Sequence, residues 1–273
     1  MRMSRLKQLL EQPKALVMGI LNTTPDSFSD GGRYLKTSDA TNRIESMLND
    51  GADIIDIGGE STRPGAPEVS LAEELDRVMP LVELAETMDA VVSVDTSKAG
   101  VMTEVLKHQV ELINDVRALQ SEGALDAVAQ SEAYVCLMHM KGLPRTMQNK
   151  PHYDDVVSEV QAMLSNRIAE CEANGIERNR IIVDPGFGFG KNLEHNAQLM
   201  RQLTELHSLD CPILVGVSRK TMIGQIIDQE IPERMVASVV AATYAALKGA
   251  KILRVHDVKE TVQAMKVINT FEY

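Results

Sequence analysis

The sequence contains no tryptophan, and phenylalanine and tyrosine make up only 3% of its 273 residues. A core must therefore be filled by Val, Ile, Leu, Met and Ala, and a hydrophobic share of 44% is enough to build one. Cysteine is sparse: Cys136, Cys171 and Cys211 are odd in number, far apart and without C-x-x-C spacing, which argues against a disulfide framework. They are expected as reduced, mostly buried thiols of a cytoplasmic protein. Basic excess is missing too. A formal net charge of −11 argues against a nucleic-acid or anionic-membrane partner, which would call for a positive face. No run of about 18 apolar residues could cross a bilayer, and the opening "MRMSRLKQLLEQPK" is charged and lacks the apolar centre of a signal peptide.

What is present is a repeat. Eight short apolar runs recur: "ALVMGIL", "ADIIDIG", "AVVSVD", "VELIND", "AYVCLMH", "RIIVDPG", "PILVGVS" and "KILRVHD". Most are unbroken rather than alternating, as in parallel strands buried on both faces. Helical spacing fills the intervals, with Ser70 and Glu73 set as a capping box, Ser38 opening another helix, and Gly51 and Gly249 placed as helix stops. The repeat averages roughly 30-odd residues, which suits a (β/α)8 barrel of about 250 residues. An open doubly wound sheet is the alternative, with ligands at one switch point. Nearly every run here ends in a ligand-type residue, which only a closed ring would gather. The expectation is a single α/β domain over residues 1–273, a TIM barrel.

The run ends supply Asn22, Asp56, Asp95, Asn114, His139, Asp184, Ser218, Arg219, Lys220, Arg254 and His256. Singly, each has an ordinary use as a cap, a turn former or a solvated charge. Together, at one barrel mouth, Asp95, Asn114 and Asp184 form an acceptor cluster suited to a flat heterocycle with several N–H donors, and Lys220 can donate to a ring carbonyl. Arg63, Arg254 and His256 supply positive charge for a phosphate or diphosphate. "VDPGFGFGK" has the look of a phosphate loop. However, Pro185 stands where a P-loop begins with glycine, Asn192 follows Lys191 where Ser or Thr is required, and no G-x-G-x-x-G fits. The better reading is a glycine turn that lets backbone approach a ring, with Phe187 or Phe189 lining the pocket.

These stretches, with "GILNTTPDSFSDGG", "DIGGESTRPGA", "VSVDTSKAGV", "INDV", "MHMKGLPRTMQ", "GVSRKTMIG" and "RVHDV", resemble the dihydropteroate synthases. The motifs run in that family's order from near residue 15 to the last helix. The resemblance implies a TIM barrel, usually a homodimer. It also implies condensation of 4-aminobenzoate with a dihydropterin-methyl diphosphate to give dihydropteroate and diphosphate in folate biosynthesis. It implies that Asp95, Asn114, Asp184 and Lys220 hold the pterin with Met138 packed against it, and that Thr62, Arg63, Arg254 and His256 hold the diphosphate. On the same resemblance Phe28, Pro64 and Ser218 are expected to make the aminobenzoate site, and Asn22 to be a Mg²⁺ ligand. Asp95, Arg254 and His256 are the catalytic candidates, acting on a pterin-methyl cation formed as diphosphate leaves. A pterin-binding methyltransferase domain shares the barrel but needs neither "NTTPDSFSDGG" nor "STRPG". A non-catalytic pterin-binding scaffold would show erosion at Asn22, Arg63, Arg254 or His256, and all four are present.

Overall fold

Eight parallel strands form the inner ring of a computed structural model that describes residues 4–23, 37–61, 68–142, 147–148 and 150–272. In chain order they are β1 (Leu16–Asn22), β2 (Ile54–Gly58), β3 (Val92–Asp95), β4 (Val110–Asp115), β5 (Tyr134–Met138), β6 (Ile181–Asp184), β7 (Leu214–Val215) and β8 (Ile252–Val255). The helices are α1 (Arg5–Leu10), α2 (Thr37–Asn49), α3 (Leu71–Thr87), α4 (Ala99–Val105) and α5 (Ala124–Ala129). They continue with α6 (Val156–Ala173), α7 (Leu193–Arg201), α8 (Thr221–Ile227), α9 (Met235–Leu247) and α10 (Val258–Glu272).

The strands are hydrogen-bonded in the order β6-β5-β4-β3-β2-β1-β8-β7. A bridge between Val183 and Ile213, with the Val183 N–H donating to Pro212 O at 2.9 Å, joins β6 to β7 and brings the sheet round to a nearly closed barrel. This seam is the thinnest. The run 212–218 reads as a full strand, yet only Leu214–Val215 pairs as one. Pro212 has no N–H to donate, and beyond Gly216 the chain turns toward the mouth.

Side chains alternate along each strand and divide the core in two. Leu16, Met18, Ile54, Leu112, Tyr134, Cys136, Ile182, Leu214 and Ile252 fill the barrel, and Leu6 of α1, wholly buried, plugs its lower end. Val17, Ile55, Ile57, Val94, Ile113, Val135, Leu137, Val183, Leu253 and Val255 point outward against the helices. A strand with both faces covered has to be apolar throughout, which is why the runs carry no alternation. The Ser70–Glu73 capping box is formed, α2 begins one residue before Ser38, and Gly51 and Gly249 have φ of 98° and 90° where α2 and α9 have ended. All three cysteines are free and buried. Burial raises the Cys136 thiol well above its ordinary range.

Candidate active site

The strands all point the same way, so their C-terminal ends share one mouth. Register puts Arg254 of β8 level with Met18, and Asp56 of β2 level with Ile20, on either side of β1. From there Arg254 reaches across β1. Its Nε donates to Asp56 Oδ2 at 2.6 Å and its Nη2 to Asp95 Oδ2 at 2.7 Å. Asp56 is entirely buried and also accepts from Ser93 Oγ at 2.6 Å and Asn114 Nδ2 at 3.3 Å. One aspartate thus holds the side chains of β3, β4 and β8 in place. Burial raises the Asp95 carboxyl, with Asp56 and Asp115 adding to the rise while Arg254 opposes it. Burial also works against the Arg254 charge, but Asp56 and Asp95 outweigh it and keep the guanidinium protonated.

The second pole lies at β5, β6 and β7. Asp184 is buried and accepts the Gly186 N–H at 2.7 Å through Oδ1. Burial raises its carboxyl, opposed by Lys220 and by that N–H. Lys220 donates to Phe187 O at 2.6 Å, and its Nζ stands 4.7 Å from the centre of the Phe189 ring. Burial lowers Lys220 to about 8, with Asp184 pulling the other way. A Cβ built on Gly216 would lie 3.8 Å from Arg254 Cβ and 4.0 Å from Lys220 Nζ, so the Arg254 stem and the Lys220 amine flank one point of the mouth. Met138 is buried and borders a cavity of about 230 Å³ shared with Val116, Met140 and Met163. Phe187 is core rather than lining, whereas Phe189 is half-buried beneath Lys220.

Ser218 and His256 meet at the ends of β7 and β8. The Ser218 hydroxyl lies 3.0 Å from His256 Nδ1 and accepts the His256 N–H at 3.2 Å. Arg219 and Asp257, which motif reading left without roles, pair beside them, with Nε donating to Oδ2 at 3.0 Å. Arg219 has φ +57°, held there by its N–H donating to Ser238 Oγ at 2.8 Å. Asn22 ends β1 near Asp95: a Cβ on Gly58 would lie 3.4 Å from Asn22 Oδ1 and 3.6 Å from Asp95 Cβ. Among the described residues, no group of three or more His, Cys, Asp and Glu could hold a metal ion. Phe28, Thr62, Arg63 and Pro64 lie outside the described residues.

The structure therefore brings Asn22, Asp95, Asn114, Asp184, Ser218, Lys220, Arg254 and His256 to the same end of the barrel. Arg254, grouped by sequence with the diphosphate cations, is held by the carboxylates at the acceptor side. Asp56, present among the strand ends without a role, is the group that holds it. His139, another strand end, lies beneath the mouth against Lys191, with Nδ1 and Nζ 2.9 Å apart.

The family model for the pterin binding enzymes matches residues 18–256. The dihydropteroate synthase of Escherichia coli K12 is 54% identical over 253 residues, covering 92% of this chain and 90% of that protein. Among solved structures, the Yersinia pestis dihydropteroate synthase with a sulfonamide drug complex superimposes with a TM-score of 0.91 at 53% identity, covering 94% of each chain. The Xanthomonas albilineans dihydropteroate synthase in complex with 7,8-dihydropteroate does so with a TM-score of 0.87 at 43% identity, over 95% of this chain and 94% of that one.

Proposed function

The chain belongs to the pterin binding enzymes, among the dihydropteroate synthases, and on that premise we propose how its residues divide the reaction between them. The activity is a transfer in folate biosynthesis. The amine of 4-aminobenzoate displaces diphosphate from (7,8-dihydropterin-6-yl)methyl diphosphate, giving 7,8-dihydropteroate. Asp184 and Asn114 take the ring donors of the pterin, Lys220 donates to its carbonyl, and Met138 packs against its face. Asp56 works one step back by orienting Asn114 and Arg254. The observation that carries this assignment is the Asp56–Arg254–Asp95 bridge beside Lys220 and Asp184, which alternates acceptors and donors over the strand ends.

Departure of diphosphate leaves a pterin-methyl cation, and Asp95 stabilises that charge as a carboxylate. The Arg254 bonds to the two aspartates use two of five guanidinium N–H donors, so others remain for the leaving oxygens. His256, held by Ser218, joins it with Thr62 and Arg63. The arylamine is neutral at pH 7 and attacks unaided, shedding one N–H proton to solvent or the departing diphosphate as the C–N bond forms, so no side-chain nucleophile is needed. Ser218, Phe28 and Pro64 form its slot.

Asn22 alone, a neutral amide oxygen, would be a poor cage for a divalent cation. It fits Mg²⁺ that is held mainly by diphosphate oxygens and water. Bound there, the ion would neutralise the leaving group. A second copy of the chain would cover α9: Val236, Val240, Tyr244 and Leu247 are 67%, 62%, 41% and 52% exposed along one stripe, and Phe271 of α10 is 79% exposed. A homodimer closes that face. No helix among the described residues is long and apolar enough to cross a membrane. The three buried free thiols suit a reducing, cytoplasmic setting. The deciding experiment mixes both substrates with Mg²⁺ and follows diphosphate. Release in step with dihydropteroate is expected, and no release would end the reading.

A further inference from the structure

Lys191 follows the glycine turn "DPGFGFG" and is only 2% exposed, so it does not reach the open mouth. Its Nζ lies 2.9 Å from Gly186 O, 3.1 Å from Phe189 O and 2.9 Å from His139 Nδ1. An ammonium has three N–H groups and no lone pair, and here it meets three acceptors within 3.1 Å, with His139 O a longer fourth at 3.5 Å. A lysine carried this far from water needs a purpose, since burying an amine is costly unless it is fully bonded.

The geometry points to Lys191 as a positioning residue of the pterin pocket, fastening the turn after β6 to the end of β5 so that Asp184 and Lys220 face the ring. This rests on the assignment of those two residues to the pterin. The route is short. Gly186 donates its N–H to Asp184 Oδ1 and gives its carbonyl to Lys191, so the clamp that fixes Gly186 also fixes the aspartate rotamer. Phe187, next along, gives its carbonyl to Lys220. Tyr153 takes Gly190 O at 2.9 Å and Gln148 takes Gly188 O, so side chains hold each carbonyl from 186 to 190. Within the turn the backbone contributes the Phe189 N–H, which donates to Gly186 O at 3.1 Å. Gly186, Gly188 and Gly190 have φ of 68°, 80° and 63°, and these side chains stand in for secondary structure.

Contact with β5 is close as well as bonded. A Cβ on Gly186 would lie 1.9 Å from His139 O, so glycine is required there. Burial, helped by Lys191, lowers the His139 imidazole to about 3, which leaves the ring neutral and its Nδ1 able to accept. Burial also lowers Lys191 to about 7, against the pull of Asp184. The clamp survives loss of that proton, because the imidazole can then carry hydrogen on Nδ1 and donate to the amine.

The test uses the full chain and a pterin lacking its diphosphate, titrated calorimetrically, with steady-state kinetics alongside. Lys191→Met and His139→Ala should each weaken pterin binding at least tenfold and raise KM for the pterin diphosphate to match. KM for 4-aminobenzoate at saturating pterin should change less than twofold. His139→Asn places an amide oxygen near the Nδ1 position and should recover binding to within about threefold. If Lys191→Met does not fold, the His139→Ala and His139→Asn pair decides. A lower melting temperature with unchanged pterin affinity would mean Lys191 only stabilises the barrel, and would overturn the proposal. Asp184→Asn is measured in parallel. If it loses affinity while Lys191→Met does not, the clamp falls alone; if Asp184→Asn binds like the parent, the pocket assignment falls and takes the clamp with it.

Discussion

Replacing Arg254 with Met should destabilise the protein by an amount that depends on pH. Arg254 is the shared partner of Asp56, wholly buried, and Asp95, 8% exposed, with contacts of 2.6 and 2.7 Å. Methionine matches the stem of the side chain but removes the cation, leaving two carboxylates close together away from water. Deleting one partner of a buried ion pair costs about 3–5 kcal/mol. For a domain of this size that corresponds to a fall in melting temperature of roughly 10 °C. The pH dependence follows from Asp95, whose carboxyl is already raised by burial, with Arg254 the group that restrains it. In Arg254→Met the folded value climbs further above that of the unfolded chain. The penalty is then complete above the folded value and is relieved as pH falls through it, because Asp95 takes up a proton. Urea unfolding of both proteins at about pH 8 and about pH 5.5 measures the two differences. The loss should be largest at the higher pH and shrink by at least about 1 kcal/mol at the lower, a shift of under one unit in Asp95. A loss below about 1 kcal/mol at high pH, or one equal at both values, would refute the bridge as a buried charge pair.

Three further outcomes are expected. Pterin affinity should fall as pH rises through about 8, where Lys220 loses its proton, and Lys220→Met should bind weakly with no such fall in calorimetric titrations across that range. Val240→Glu puts a charge into the exposed stripe of α9 and should give a folded monomer where the parent sediments as a dimer at micromolar concentration; a monomeric parent would remove the dimer from the reading. Mg²⁺ and diphosphate, with pterin, should raise 4-aminobenzoate affinity at least tenfold, a coupling of about 1.4 kcal/mol or more, and equal affinities with and without them would mean the aminobenzoate slot is preformed.

Much of this protein was legible before any coordinates. A barrel strand is covered on both faces, so its sequence is a continuous apolar run, and the first polar residue after it marks the mouth. Asp95, Asn114, Asp184, Lys220 and His256 all stand among the polar residues that close these runs, and the direction of the strands gathers them at one end. The helix stops at Gly51 and Gly249 and the Ser70–Glu73 box were equally local, because each depends on backbone conformation within a few residues.

What the sequence could not decide was pairing across the ring. Arg254 reads as a cation for phosphate wherever it stands. Only the closure of β8 against β1 brings it over to Asp56 and Asp95, 198 and 159 residues away. Phe187 and Phe189 are equivalent in "GFGFG", and the left-handed glycines around them send one into the core and the other beneath Lys220. The phosphate-loop pattern does not fit around Lys191, and the sequence assigns it no other partner. Its three acceptors come from two chain segments that meet only when β5 and β6 lie side by side, and a chain read in one dimension holds no trace of that meeting.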